Sequence, residues 1–472
     1  MKIVMKFGGT SMAGANNIRH AASLALAHAK DHAVVCVVSA MDGVTEQLLD
    51  LGQSAAAGNR ASVLGVLSRI RTEHEAAANT LGCLPLIDTT LRKLETLVEG
   101  ISAIGELTPR SKDAVVAYGE RLSTILMGAA MSCPAMDGFE AGIVTTDHFT
   151  SADPLMELSV FQVRSRLGPL VAPGKPVVVA GFIAGNQHGV TTTLGRGGSD
   201  YTATILGAAL QADEIWIWSD VDGMMTADPR VVGAARLMSH ITFGEAVEMG
   251  KFGAKSMHPR ALEPASESGI PVRMRNTFKP DNPGTLIASA ETVERATRAS
   301  APSSQTNSQR LARPVLAVPA LKNMSFITVG GATMIGRTGT AAAIFDALAA
   351  ARVNVHMICQ SVSESGISIA VSAAHTDEAR SALERAIIGV LGERTARAID
   401  VQRAVTIVAC VGAGMRGSPG VAARVFTAIA RDSINVLAIA QGSSELSIAL
   451  AVLDKDGPAA VRSLHAEFNL AE

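Results

Sequence analysis

The chain has 472 residues, 48% of them apolar and 18% charged, with a net charge of −2. That length provides for two or three domains with sizeable cores and excludes a disordered chain. With no basic block and only 3% aromatic residues, the chain also lacks the electrostatic and stacking surfaces of a nucleic-acid binder.

The first element is a strand-like run over residues 3–7 that reaches Gly8-Gly9 at once. It has no long apolar core of the kind a signal peptide needs, and no later stretch is long enough to span a bilayer. A soluble, cytoplasmic protein with no membrane partner is expected. Lys6-Phe7-Gly8-Gly9-Thr10-Ser11 delivers a lysine and then two glycines, which let backbone N–H groups approach an anion closely. The lysine precedes the glycines, so this is not a P-loop. On these residues alone a tight turn with a surface lysine stands level with a phosphate site.

Residues 17–29 have helical spacing. Residues 33–39 form a continuous apolar run, as in a strand buried on both faces of a parallel sheet. Residues 44–130 are mostly helical and contain Tyr118-Gly119-Glu120-Arg121-Leu122-Ser123, where Glu120 by itself reads equally as a solvated charge. Residues 176–183 and 214–218 are further buried strands. The pattern is α/β, a twisted and largely parallel sheet with helices on both faces. Ligands in such sheets sit beyond the carboxyl ends of the strands, where Gly8-Gly9, Ser39, Gly181 and Ser219-Asp220 fall.

Between the last two of these strands lies Thr191-Thr192-Thr193-Leu194-Gly195-Arg196-Gly197-Gly198-Ser199-Asp200, followed by an Ala-rich helical run. Free N–H groups and the positive end of the helix dipole favour a negative ligand there. Capping by Ser199 or Asp200 is the structural alternative. It does not account for Arg196 among glycines, so anion binding is favoured. Trp218-Ser219-Asp220-Val221-Asp222-Gly223, the turn ending in Arg230, and Phe252-Gly253-Ala254-Lys255 are weak signals alone, consistent with ordinary turn chemistry.

Composition changes after Leu286, and the small, polar stretch over residues 299–308 reads as a flexible linker. Beyond it an offset of 81 positions (360 to 441) superposes the sequence on itself. Gly331 meets Gly412, Met334 meets Met415, Phe345 meets Phe426, Asn354 meets Asn435, Gln360 meets Gln441, and Ser363-Glu364 meets Ser444-Glu445. Each copy reads strand, Gly-rich loop, amphipathic helix, strand, turn, strand, so the C-terminal part is a duplicated α+β module. Gly412-Ala413-Gly414-Met415-Arg416-Gly417 fits a dinucleotide fingerprint. However, Asp432 precedes the next strand instead of ending it, and the other copy lacks the middle glycine, so the loop is read as part of the module. The five cysteines are scattered without a C-x-x-C pair, which disfavours a metal or disulfide framework.

Taken together, residues 6–11, 119–124, 191–204, 219–230 and 252–259 resemble the aspartate kinases of the amino-acid kinase family. The resemblance spans nearly the whole chain. It implies a three-layer αβα amino-acid kinase domain over residues 1–290, a linker over 291–313, and two ACT-like (ferredoxin-like) modules over 314–395 and 396–472. It also implies ATP-dependent phosphorylation of the L-aspartate side chain, with Mg²⁺. Lys6, Gly8 and Gly9 would contact the ATP phosphates. Thr45 and Glu120 would bind aspartate, Glu120 through its ammonium group. Arg196 would clamp the α-carboxylate, with Gly197, Gly198 and Ser199 completing the pocket, and Asp200 would orient Lys6 and the reacting groups. Ser219, Asp220, Met225, Arg230 and Lys255 would line the nucleotide pocket. Ser219 stands where Thr is usual, and Met225 where Tyr is common.

The chemistry agrees with the residues. A carboxylate is ionised at neutral pH and needs no general base to attack phosphorus; it needs alignment and relief of repulsion between two anions. None of the eleven histidines is expected to be catalytic. The modules imply an effector amino acid, threonine or lysine with a lean towards threonine, at Gln360, Gln441, Asn354 and Asn435, and a homodimer or dimer of dimers. The competing readings are a glutamate-directed relative and a catalytically inert amino-acid sensor. Too little sequence follows the modules for a homoserine dehydrogenase domain to be expected.

Overall fold

The structure, a computed structural model, describes residues 1–253, 257–300, 314–330, 338–360, 366–391 and 399–471. The chain forms two compact units. The first comprises residues 1–224, 238–243 and 257–299, and the second residues 225–237, 244–256 and 300–472. Two segments of the expected 1–290 domain therefore belong to the second unit.

In chain order the first part of the molecule runs β1 (Lys2–Phe7), α1 (Gly14–Ala29), β2 (Ala33–Val38), α2 (Val44–Ala56), α3 (Arg60–Leu81), α4 (Leu84–Ile104), α5 (Pro109–Met131), β3 (Ala135–Met136), β4 (Val144–Thr145) and α6 (Met156–Arg166). It continues with β5 (Val177–Ala180), β6 (Ile183–Asn186), β7 (Thr191–Thr193), α7 (Gly198–Leu210), β8 (Glu214–Ser219), β9 (His240–Thr242), α8 (Phe243–Lys251), α9 (Pro259–Glu267), β10 (Val272–Asn276), β11 (Thr285–Ala288) and α10 (Ala290–Ser300). All of α8 after Phe243 lies in the second unit.

Eight strands form one sheet in the order β3-β5-β2-β1-β8-β10-β11-β9. Every neighbouring pair is parallel except β10–β11. The sequence accounts for this placement. All six residues of β2, Ala-Val-Val-Cys-Val-Val, are buried, which only a strand covered on both faces allows. Ile3, Met5 and Phe7 alternate into one core with Val34, Cys36, Val38 and the helices α1–α5. Their neighbours Val4, Val35 and Val37 are fully buried too, and α7 packs against β1, β2 and β8.

The run 176–183, expected as one strand, breaks at Gly181-Phe182. β5 stays in the main sheet, and β6 joins β4 and β7 in a three-stranded sheet. Phe182 makes the corner with φ +63°, a left-handed conformation that a side-chain-bearing residue rarely adopts. The start of the expected linker is also different: residues 290–300 are helical. Pairs at i and i+4 (Glu291–Arg295 and Glu294–Arg298) line the exposed side of α10, and Val293 is buried beneath it.

The second unit contains β12 (Ala320–Gly330), α11 (Thr340–Ala350), β13 (Val355–Gln360), β14 (Gly366–Ser372), α12 (Thr376–Leu391), β15 (Ile399–Val411), α13 (Val421–Arg431), β16 (Ala438–Gln441), β17 (Ser447–Leu453) and α14 (Gly457–Glu467). The strands make one antiparallel sheet, β13-β14-β12-β15-β17-β16. The repeat read from sequence is visible in the elements: the same offset carries α11 onto α13 and β14 onto β17. Each copy holds a second helix, α12 or α14, that the sequence reading omitted. The long central strands β12 and β15 join the two copies, Ala320 opposite Val408 and Val329 opposite Ile399.

The segment 225–237 belongs here because its apolar residues do. Ala227 and Val232 share a core with Val408, Val425 and Leu464, and the Thr226 hydroxyl lies 3.0 Å from Nε2 of His465. In α8, Glu245 accepts the Ala413 N–H at 2.8 Å, and Glu248 accepts the Ser447 hydroxyl at 2.7 Å. The Gly412–Gly417 loop is thus a working part of the second copy. Among the described residues no helix is long and apolar enough to cross a membrane.

Candidate active site

The carboxyl ends of β1, β2 and β5 and the start of α7 surround a cavity of about 470 Å³ in the first unit. Lys6, Gly9, Thr45, Glu120, Arg196, Gly197, Gly198, Ser199 and Asp200 all line it. These residues come from four separate stretches of chain, and the fold brings them together around one cavity.

Lys6 is the penultimate residue of β1, with its ammonium 2.7 Å from Oδ1 of Asp200, both side chains being largely buried. The turn that follows is held by the Gly8 N–H, which donates to the Trp218 carbonyl at 3.1 Å. Gly9 is glycine for want of space: a Cβ there would lie 3.2 Å from the Ala40 carbonyl oxygen and 3.4 Å from Cα of Asp42. Two backbones meet here with no side chain between them.

Across the cavity, α7 starts at Gly197, whose φ of +73° suits glycine. The helix has no side-chain cap. Neither Ser199 nor Asp200 is used in capping. Asp200 lies in the first turn, where the helix dipole favours its negative charge. Arg196 projects from the preceding loop, and among the described residues no carboxylate pairs with it.

Glu120 sits on α5 and is 3% exposed. Its Oε1 accepts the Ala40 N–H at 3.1 Å, while Oε2 is buried with no hydrogen-bond partner among the described residues. Burial pushes the carboxyl up to about 8, opposed by the hydrogen bond from Ala40 and by the field of Lys6. A buried, half-satisfied carboxyl group lining the same cavity as a guanidinium that no described carboxylate pairs is a poor structural device and suits an ammonium and a carboxylate on one small molecule.

Ser219 and Asp220 stand at the end of β8, next to β1; the Ser219 carbonyl accepts the Thr277 N–H at 2.8 Å, and Thr277 is bonded in turn to Ser11 at 2.6 Å. Met225 and Arg230 belong to the second unit, where Arg230 forks onto Asp228 at 3.0 and 2.8 Å. Gln360, Gln441, Asn354 and Asn435 are exposed on that unit. Lys255 and the repeat matches at 331–336 and 363–364 lie outside the described residues.

Sequence reasoning missed Asp113 and Phe182, and it gave no role to His258 within the 252–259 stretch. Asp113 and Phe182 line the cavity. Asp113 precedes Glu120 by seven residues, two helical turns, and that spacing was a readable signal. Phe182 had none, because its left-handed backbone is visible only in the fold. His258 packs so close to Gly197 that a Cβ there would lie 2.6 Å from the histidine Cβ. Burial and the nearby Arg196 and Arg260 hold its imidazole below the ordinary range.

Comparison with known proteins divides the chain by sequence order. Residues 1–276 match the amino acid kinase family, and residues 327–387 and 408–468 each match an ACT domain. Aspartokinase 3 of Arabidopsis thaliana, a chloroplastic enzyme, is 34% identical over 98% of this chain and 81% of its own length. The structure resembles E. coli aspartokinase III in complex with aspartate and ADP, in its R-state, at TM-score 0.79 and 29% identity, covering 99% of both chains. It also resembles the same enzyme in complex with lysine and aspartate, in its T-state, at TM-score 0.74 and 30% identity, covering 100% of this chain and 99% of the other. With both parts of the chain matched and the whole length aligned, the chain belongs to the amino-acid kinase family and, within it, to the aspartokinases, and it is a phosphotransferase.

Proposed function

We propose that this chain transfers the γ-phosphoryl group of ATP to the side-chain carboxylate of L-aspartate, giving 4-phospho-L-aspartate and ADP. One observation carries the reading: the Oε2 of buried Glu120 and the guanidinium of Arg196, both without a partner among the described residues, line the same cavity as the Lys6–Asp200 pair. Glu120 would receive the substrate ammonium and Arg196 its α-carboxylate, the fork of a guanidinium suiting a carboxylate. Thr45, Gly197, Gly198 and Ser199 complete that pocket. The E. coli relative bound to aspartate and ADP supports the same pair of ligands.

The side-chain carboxylate left over is the nucleophile. One of its oxygens bonds to the γ-phosphorus as the bond from phosphorus to the β–γ bridging oxygen breaks, and ADP leaves with that electron pair. No proton is transferred, so no general base is needed. Lys6 screens the two anions from one another, and the side-chain-free Gly8-Gly9 turn lets the phosphates approach the backbone at Gly9. Asp200 keeps the Lys6 ammonium aimed into the cavity. Ser219, Asp220, Met225, Arg230 and Lys255 are the residues proposed for the nucleotide.

Mg²⁺ fits this donor set. Among the described residues Oδ1 of Asp200 has only the Lys6 ion pair, and magnesium commonly takes one or two carboxylates plus substrate phosphates. When bound, it neutralises phosphate charge.

The reading extends to regulation. The ACT modules, with Gln360, Gln441, Asn354 and Asn435 at matching repeat positions, are proposed to bind threonine or lysine as an end-product inhibitor. The E. coli relative bound to lysine supports an amino-acid effector. The reaction is proposed as the first step towards lysine, threonine and methionine, carried out by a cytoplasmic homodimer or dimer of dimers.

The test is direct. The protein is incubated with ATP, Mg²⁺ and aspartate or glutamate, and acyl phosphate is trapped with hydroxylamine. Aspartyl hydroxamate, lost in Lys6→Ala, is expected. Product from glutamate alone overturns the substrate, and no product from either acid favours a sensor. Threonine, lysine and methionine at millimolar levels test the effector, and activity unchanged by all three removes the regulatory reading.

A further inference from the structure

Asp113 is a buried carboxylate for which the reaction above has no use. It is 1% exposed, lies two turns before Glu120 on α5, and lines the same cavity. Its hydrogen bonds all run to one place. Oδ2 accepts the N–H groups of Thr150 at 2.9 Å and Thr193 at 3.1 Å, and Oδ1 accepts the Thr193 hydroxyl at 2.8 Å.

What these bonds gather is the base of the Arg196 loop. The Ala152 N–H donates to the Thr193 carbonyl at 2.8 Å, and the Leu194 N–H to the Phe182 carbonyl at 2.9 Å. The chain then passes through Gly195, where a Cβ would lie 3.0 Å from the Ser151 hydroxyl and 3.3 Å from the Thr150 carbonyl oxygen. Thr150 itself has φ +74°, a conformation that costs a non-glycine residue energy unless its surroundings hold it. Asp113 supplies that hold through the Thr150 N–H. One residue beyond Gly195 is Arg196.

We infer that Asp113 is a positioning residue for the substrate side of the cavity: by accepting from Thr150 and Thr193 it fixes the loop that presents Arg196 to the α-carboxylate of aspartate. The inference rests on the aspartate-kinase reading. It assigns Asp113 no contact with either substrate. Its effect should appear in aspartate binding and not in the nucleotide site, since all three donors belong to the Arg196 loop and its neighbour.

The experiment compares Asp113→Ala and Asp113→Asn with wild type, measuring kcat, the KM for aspartate, the KM for ATP and the melting temperature. Asp113→Ala is expected to raise the aspartate KM by about tenfold or more, with the ATP KM within about twofold. Asp113→Asn should stay within about threefold of wild type. Its amide oxygen can take both N–H groups while its NH₂ donates to the Thr193 hydroxyl. If Asp113→Ala does not fold, Thr193→Val removes one of the three bonds. It should raise the aspartate KM several-fold (about threefold), with Thr193→Ser restoring it. An unchanged aspartate KM in folded Asp113→Ala or Thr193→Val, or an equal rise in both KM values, overturns the inference while wild-type hydroxamate formation still supports the function. A wild-type protein that forms no aspartyl hydroxamate overturns both.

Discussion

The ammonium of Lys6 lies 2.7 Å from the carboxylate of Asp200, so the end of the first strand is tied to the first turn of α7 by one ion pair at the edge of the cavity. The pair is largely shielded from water, where a charge acts over a longer range than at the surface. Neither partner has a structural duty that needs the other, because both elements are fixed by the sheet.

The first prediction follows from that pair. Lys6→Ala should lower kcat by about 100- to 1,000-fold, the scale for losing one preorganised donor to developing charge. Its melting temperature should stay close to wild type. Steady-state kinetics and thermal unfolding on one preparation check both halves, and a folded Lys6→Ala with near-normal kcat would remove lysine from the reaction.

Glu120 gives a pH prediction. Its carboxyl is pushed up to about 8 in the free protein, chiefly by burial. Only the ionised form pairs with an ammonium, so kcat/KM for aspartate should rise about tenfold per pH unit up to pH near 8. Glu120→Gln should lose that slope and bind aspartate weakly. Binding should also release protons at pH 7, since the arriving ammonium favours ionisation. Calorimetry in buffers of different ionisation enthalpy reads this directly. Stability has its own sign. The folded state holds this proton above the unfolded carboxyl's ordinary value, so the contribution is full below that value and is lost as pH rises through about 8. Glu120→Gln should therefore gain in melting temperature relative to wild type as pH passes from 6 to 9.

Arg196 carries the third prediction. Arg196→Lys keeps the charge and loses the planar fork, and should raise the aspartate KM by about 10- to 100-fold with the ATP KM little changed. Equal KM values for wild type and Arg196→Lys would mean that the guanidinium does not clamp the substrate.

How much of this was legible depends on what each residue does. β2 could be read because burial on both faces leaves an uninterrupted Val-rich run. The C-terminal duplication was legible because repeated packing demands repeated side chains at a fixed offset. Arg196 between glycines was legible because it has no role in a helix start. The corner at Phe182 was not legible: its backbone is set by its neighbours in space, including the Thr202 hydroxyl that accepts the Phe182 N–H at 3.0 Å. Nor was the assignment of 225–237 to the second unit, which depends on Ala227 and Val232 meeting residues two hundred positions later. The helix over 290–300 was hidden for a different reason. Its polar surface looks like linker composition until the i, i+4 ion pairs are counted.

The last prediction concerns space rather than charge. A Cβ at Gly181 would lie 2.7 Å from Cβ of Ser199 and 2.9 Å from its Cα, so the end of β5 and the start of α7 touch without a side chain between them. Neither can yield easily. β5 is held in the sheet, and Phe182 next to it is already in a left-handed corner. Gly181→Ala should push the first turn of α7 outward, taking Ser199 and Asp200 with it. The expected cost is about 1–3 kcal/mol of stability, together with a loss in kcat/KM larger than that destabilisation alone explains. Gly65→Ala is the control. Gly65 is exposed within α3, has nothing within 4 Å of its added methyl, and should stabilise the fold by about 0.5–1 kcal/mol with no change in kinetics. Chemical denaturation and steady-state kinetics on both variants separate the two cases. If Gly181→Ala is as active as Gly65→Ala, the contact between β5 and α7 does not set the geometry of the site.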